Sequence, residues 1–306
     1  MIGAVWRKLF YSTYFFTIAL RRRTGEDIVS RTVFRAEHIM KAHVKTWQAD
    51  PILVDDGEKT YLFYEAVTDD KGRIEVAQVN PDCTLGEPRV LLSGDCHYSY
   101  PFVFRHGGNW YMIPESSADG EVCLYEALDF PFRWEKKQIL LRQQSVDTTV
   151  FEKDGRMYLL TFLICPGSEA VVPQAYCMDW TAETVCLTRM AWENADGLHT
   201  RGAGPVFAQG GRLYRPAQKN QADSYGNSVI FYEIGNLSNG YRETPAVELN
   251  SEQITASGVW LDGLHTYAGS ERFEAIDIRC REFDFWKTPR VFWKRFRRKA
   301  GGKKHG

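Results

Sequence analysis

The sequence predicts an all-β protein folded as one five-bladed β-propeller, with its N-terminal strands closing the last blade. Three observations lead there: a repeated strand-turn-strand unit, a near-constant spacing between its copies, and two N-terminal strand segments left without a blade of their own.

Each unit is a short apolar strand, a polar turn containing Gly or Asp, and a second strand that opens on an aromatic residue. The first copy reads Asp50-Pro51-Ile52-Leu53-Val54 with Tyr61-Leu62-Phe63-Tyr64-Glu65, and the second Tyr100-Pro101-Phe102-Val103-Phe104 with Tyr111-Met112-Ile113-Pro114-Glu115. The third is Asp147-Thr148-Thr149-Val150-Phe151 with Tyr158 to Phe162, and the fourth Gly204-Pro205-Val206-Phe207 with Tyr214 to Gln218. The repeat tyrosines Tyr61, Tyr111, Tyr158 and Tyr214 are 50, 47 and 56 residues apart. That is the length of a four-stranded propeller blade. Outer strands follow at Ile74 to Val79 and Arg89 to Leu92, at Val122 to Ala127 and Gln138 to Leu141, and at Val229 to Ile234 and Ala246 to Leu249. A fifth inner pair, His265 to Ala268 and Arg272 to Ile278, exhausts the C-terminal strands. The orphan segments Phe15 to Arg21 and Val33 to Glu37 then complete blade five, which joins the termini and leaves no open sheet edge.

A composition of 44% hydrophobic and 14% aromatic residues supplies a large core for 306 residues, so a single domain over 1–284 is expected. Seven cysteines with no C-x-x-C pair indicate neither a disulfide framework nor a zinc site, and fit a reducing, cytoplasmic setting. The apolar run Leu9 to Leu20 is too short to span a bilayer and is broken by Tyr11, Ser12, Thr13 and Tyr14. Net charge is −1, but residues 287–306 hold nine Lys or Arg and no acid, which leaves −10 on the rest. An acidic body excludes nucleic acid as a partner, since phosphate contacts need clustered Lys and Arg.

The start of each innermost strand faces the propeller axis, so equivalent positions converge at one mouth. Here they are Asp50, Tyr100, Asp147, Gly204 and His265, with Glu65, Glu115, Phe162 and Gln218 four residues beyond the repeat tyrosines. Glycosyl chemistry needs one carboxylate as base or nucleophile and a second, raised in pKa, as acid. Asp50, Glu115 and Asp147 are the candidates for catalysis, with Tyr100, Arg201, Arg215, Gln218, His265 and Glu65 as candidate ligands for hydroxyls or an anionic group. Asp at a strand start also caps turns through its own backbone, the plain alternative for Asp50 and Asp147 taken singly. No spacing indicates a metal, and no motif a cofactor.

Trp47-Gln48-Ala49-Asp50-Pro51, Ser99 to Phe104, Tyr111 to Glu115, Arg201-Gly202-Ala203-Gly204, Leu213 to Gln218, Tyr225-Gly226 and His265-Thr266 together resemble the N-terminal domain of the glucosamine inositolphosphorylceramide transferases, from about Ala49 to Ile278. That domain is similar to the family 43 glycosidases, five-bladed propellers with an Asp base on blade one, an Asp on blade three and a Glu acid on blade four. The resemblance implies matching roles for Asp50 and Asp147. Blade four departs from it, offering Arg201, Arg215 and Gln218 where an acid is expected, with Glu115 of blade two as the substitute. The plant relatives add a glycosyltransferase domain; this sequence has no D-x-D motif, and the resemblance does not carry transferase activity to it.

Two readings follow: an enzyme that cleaves or transfers a glycosyl unit, or a glycan-binding scaffold that serves partner glycosyltransferases at the inner membrane face. The segment 285–306 alternates aromatics with Lys and Arg, a composition that lies on anionic lipid. Its deletion is expected to abolish co-sedimentation with phosphatidylserine vesicles; undiminished vesicle binding would contradict a peripheral membrane role.

Overall fold

The computed structural model describes residues 13–23, 25, 28–116, 119–165, 171–181, 184–193, 201–221 and 224–282. Five four-stranded antiparallel sheets form the five blades. Blade one runs Thr46–Asp55, Thr60–Thr68, Lys71–Val79 and Arg89–Leu92; blade two Ser99–His106, Asn109–Glu115, Val122–Asp129 and Arg133–Leu141. Blade three is Ser145–Lys153, Arg156–Ile164, Val171–Trp180 and Val185–Met190, and blade four Phe207–Gln209, Arg212–Gln221, Ser224–Ile234 and Glu243–Asn250. Blade five takes Leu261–Gly269 and Phe273–Glu282 from the C-terminal side and Thr13–Arg22 and His38–Ile39 from the N-terminal side. Apolar side chains from facing blades pack between sheets, as where Tyr100, Phe102 and Ile113 of blade two meet Val150, Leu159 and Tyr176 of blade three.

The innermost strands share one irregularity. Their pairing with the second strand slips between Ala49 and Ile52, Ser99 and Phe102, Val146 and Thr149, and Leu264 and Thr266. In the first three slips, Asp50, Tyr100 and Asp147 adopt φ of 52°, 42° and 51°. A bulge of this kind re-aims a side chain. A left-handed non-glycine residue costs about 1–3 kcal/mol and persists only where its surroundings hold it. In blade four the position is Gly204 at φ 124°, where a Cβ would fall 1.9 Å from the Tyr267 carbonyl oxygen, so no other residue fits. The repeat register read from the sequence is therefore the register of the bulges.

A second recurring device clamps the blades. A tyrosine hydroxyl donates to a glutamate that also pairs with a cation in blade one (Tyr64, Glu75, Arg73), blade two (Tyr111, Glu126, Lys137), blade four (Tyr241, Glu243, Arg215) and blade five (Tyr267, Glu274, Arg21). The blade-four and blade-five clamps are buried. There each charge is matched and hydrogen-bonded, the condition under which a buried ion pair is tolerated.

One strand boundary differs from expectation. The run Val33 to Glu37 does not form the outer strand of blade five: Phe34–Arg35 pairs in parallel with Ile254–Thr255, and His38–Ile39 takes the outer place beside Leu20 and Ala19. The amide of Ala36 bonds to Thr255 and that of Glu37 to Leu20, which divides the run between two sheets. The segment 285–306 lies outside the described residues. Thr13–Arg22 pairs residue by residue with Phe273–Glu282 through ten partners. Truncation of residues 1–22 is expected to expose that edge and replace the cooperative thermal transition with aggregation in size-exclusion chromatography; a monomer with an unchanged melting curve would show the closure to be dispensable.

Candidate active site

Asp50, Tyr100, Asp147, Gly204 and His265 converge as the repeat requires, joined by hydrogen bonds that cross from blade to blade. Asp50 accepts the Tyr100 amide at 3.1 Å and the Thr266 hydroxyl at 3.0 Å. Its own amide donates to Asp277 at 3.1 Å. The Asp147 amide donates to Glu115 at 3.1 Å. Glu65 and Glu115 pair with Ala49 and Ser99, each immediately before a left-handed residue; the Glu115 carboxylate reaches the next bulge at Asp147, whereas that of Glu65 meets His97.

Arg201 enters from the loop before blade four. Its Nε lies 2.5 Å from Asp147 Oδ2, and a terminal nitrogen 3.9 Å from Glu115 Oε2. The guanidinium also lies over the Tyr225 ring, 5.6 Å from its centre. Gly202 lets the loop approach, because a Cβ there would meet the Asp147 Cβ at 2.7 Å. His265 is set by Asp277: Nδ1 lies 2.5 Å from Asp277 Oδ2, and Nε2 lies 3.7 Å from Asp50 Oδ1. Phe16 stacks on the imidazole with ring centres 4.3 Å apart, and Tyr225 meets it edge-on.

Burial governs the electrostatics. It raises the pKa of Asp50 and of Asp147, with Arg201 opposing the rise at Asp147. Glu115 is pushed up to about 8 by burial and then by the Asp147 charge, against the pull of Arg201. Glu65 rises to about 7 through burial, opposed by its contact of 2.6 Å with His97. For His265 burial opposes the charged form, but Asp277 and Asp50 outweigh it and carry the imidazole to about 9. Side-chain exposure separates the three candidate catalytic acids: Glu115 is 11% and Asp50 9% exposed, whereas Asp147 is 2% exposed and locked to Arg201.

Two residues expected to contact ligand are built into the scaffold. Tyr100 is fully buried; its hydroxyl contacts Thr149 at 2.8 Å and accepts the Gly204 amide at 3.0 Å. Arg215 is buried in a two-pronged pair with Glu243, at 2.7 and 2.5 Å, among the rings of Phe162, Trp192 and Tyr232. Its position in the second strand faces the blade three and four interface. Gln218 is buried too. Its amide nitrogen donates to the Gly202 carbonyl, while Oε1 has no hydrogen-bond partner among the described residues.

Asp277, Phe16 and His97 were not singled out in the sequence, and Tyr225 entered only within the motif Tyr225-Gly226 with no role of its own. Asp277 had a signal, an acid set between Ile276 and Ile278 in the strand Phe273–Glu282. Asp50, His265 and Asp277 bring ligand atoms within 4.8 Å of one another, a grouping of the kind that holds metal ions. The donor set does not fit one, because Asp277 is already occupied by His265 Nδ1 and by the amides of Asp50, His265 and Thr266. A surface hollow of about 530 Å³ lined by Asp154, Arg156, Tyr158, Cys177, Asn236 and Asn239 holds none of these groups.

Fold and site define a five-bladed propeller with an acid-rich inner mouth. The chain belongs to the family described as glucosamine inositolphosphorylceramide transferase 1, N-terminal, which matches residues 28–268. It is 29% identical over 215 residues to glucosamine inositolphosphorylceramide transferase 1 of Oryza sativa subsp. japonica, covering 67% of this chain and 28% of that protein. The protein of the same name from Arabidopsis thaliana is 29% identical over 209 residues, 64% of this chain and 26% of the relative. The chain thus spans little more than a quarter of the curated relatives it matches. Among solved structures, an α-L-arabinofuranosidase from Podospora anserina aligns with a TM-score of 0.55 at 11% identity over 77% of this chain and 90% of that one. A GH43 endo-arabinanase from Bacillus licheniformis aligns with a TM-score of 0.52 at 12% identity over 78% and 94%. At such identities the likeness concerns the fold. Among the described residues no helix is long and apolar enough to cross a membrane.

The raised values have a consequence for stability. Glu115, lifted from 4.5 to about 8, contributes stability below pH 4.5 that is lost as pH climbs through about 8. His265, lifted from 6.5 to about 9, contributes stability fully present below pH 6.5 and lost through about 9. Both slopes have the same sign. The melting temperature followed by circular dichroism is expected to fall between pH 6.5 and 9, by about 2–4 °C for each kcal/mol lost; a flat or rising curve would contradict these assignments.

Proposed function

We propose that this propeller is a carbohydrate-active enzyme that cleaves or transfers a glycosyl unit at its inner mouth. The observation that carries the reading is a pair of carboxylates raised by burial but given different partners: Glu115, pushed up to about 8, shares Arg201 with Asp147, whereas Asp50 faces His265, which pulls it back down. Environments that separate two carboxyl groups in this way assign acid and base. Glu115 donates its proton to the departing glycosidic oxygen as the bond to the anomeric carbon breaks. Asp50 takes a proton from the attacking water or hydroxyl as the new bond forms, and solvent restores both groups. Asp147, held by Arg201, orients Glu115 through its amide and through its charge. The names of the family and its relatives refer to glucosamine, and the structural neighbours are an arabinofuranosidase and an arabinanase. Both support a sugar as ligand.

A second reading is a glycan-binding propeller that positions a glycolipid for a glycosyltransferase. It is favoured by Arg201 standing on blade four where the similar glycosidases carry an acid. The readings separate in a screen of oligosaccharides, glycolipids and nucleotide sugars with sugar release and transfer recorded beside binding. On the enzymatic reading, Glu115→Gln and Asp50→Asn each lose about 10²–10⁴-fold in turnover while still binding glycan. Turnover in the unaltered protein should also decline as pH rises through about 8, where Glu115 loses its proton. Binding with no turnover in any form would instead establish the scaffold.

A further inference from the structure

Asp277 lies on the second strand of blade five, is fully buried, and is the point on which four donors converge. Its Oδ1 accepts the amides of His265 at 2.9 Å and Thr266 at 2.8 Å. Its Oδ2 accepts the Asp50 amide at 3.1 Å and lies 2.5 Å from His265 Nδ1. This close approach sets the Nδ1 side of the ring against Asp277, so Nε2 is the nitrogen turned toward Asp50, 3.7 Å away. The imidazole cannot turn out of this position, because Phe16 stacks on its face and Tyr225 closes the edge.

We infer that Asp277 is a positioning residue for the reaction: through His265 it fixes an imidazole against the Asp50 carboxylate and thereby sets Asp50 as the base, leaving the acid's role to Glu115. This inference rests on the proposed acid and base roles. The asymmetry of the site is what carries it. Asp50 has a dedicated partner that makes its closest ion-pair contact with Asp277 alone. Among the described residues Glu115 forms an ion pair with Arg201 alone, at 3.9 Å, and that guanidinium is committed to Asp147 at 2.5 Å. The charged groups acting on His265 also support it: burial and Arg201 oppose the imidazolium, while Asp277 first and Asp50 second favour it and prevail. Glu65 and Asp147 lie within reach of the same field.

The test is an NMR titration of the His265 ring protons, which requires no substrate. In the unaltered protein His265 is expected to titrate near pH 9, and in Asp277→Asn to fall toward 6.5. Should Asp277→Asn fail to fold, Asp50→Asn decides: His265 must still titrate well above 6.5, because Asp277 remains. A midpoint near 6.5 in the unaltered protein, or its collapse in Asp50→Asn, would overturn the inference. Where turnover is measurable, Asp277→Asn should move the acidic limb of the pH–rate profile, since Asp277 raises Asp50 directly while the imidazole it holds lowers it. An unmoved limb accompanied by a shifted His265 titration would refute the positioning role; absent turnover with the expected titration would count against the enzymatic reading instead.

Discussion

The amide of each left-handed residue in the innermost strands of blades one to three is caught by a carboxylate of the blade before it. Asp277 of blade five takes the amide of Asp50, Asp50 that of Tyr100, and Glu115 that of Asp147. A positive φ at Asp, and still more at Tyr, is unfavourable alone, and these hydrogen bonds are what hold the chain in it. Remove them and the bulges have no reason to persist. With the bulges go the aim of the side chains at the axis and the alignment of consecutive blades.

Asp50 and Glu115 are therefore both mortar and candidate reagents. Because they are buried, desolvation lifts their protonation, and the partners each has acquired decide how they diverge. Asp147 is closed off beneath Arg201, Asp50 faces a histidine, and Glu115 is left with a shared cation. One architectural requirement, the capture of strained amides, thus brings Asp50 and Glu115 beside Asp147, three carboxyl groups in three different electrostatic settings. Such separation is what acid and base chemistry needs at one pH.

Much of this was legible in the sequence because a repeat carries its own alignment. Tyr61, Tyr111, Tyr158 and Tyr214 mark the register, and the register alone placed Asp50, Tyr100, Asp147, Gly204 and His265 at equivalent bulges. It did not reveal what each side chain would touch. Tyr100 and Arg215 occupy the right strands yet point their polar groups into the scaffold, toward Thr149 and Glu243, because partners two to four strands away decide orientation. Asp277 stayed hidden for a similar reason: the donors that make it central come from blade one and from its own neighbouring strand, 227 and 11 to 12 residues distant in the chain. The split of Val33 to Glu37 between two sheets likewise depends on Thr255 and Leu20, which no local pattern announces.

The central claim is that the inner mouth, rather than any other surface, meets a sugar. Chemical-shift mapping of the isotope-labelled protein against a panel of oligosaccharides and glycolipid headgroups tests it most directly. Perturbations confined to the amides around Asp50, Glu115, Arg201, Tyr225 and His265 are the expected result. Perturbations gathered instead at the hollow beside Arg156 and Asn239, or none with any member of the panel, would contradict it.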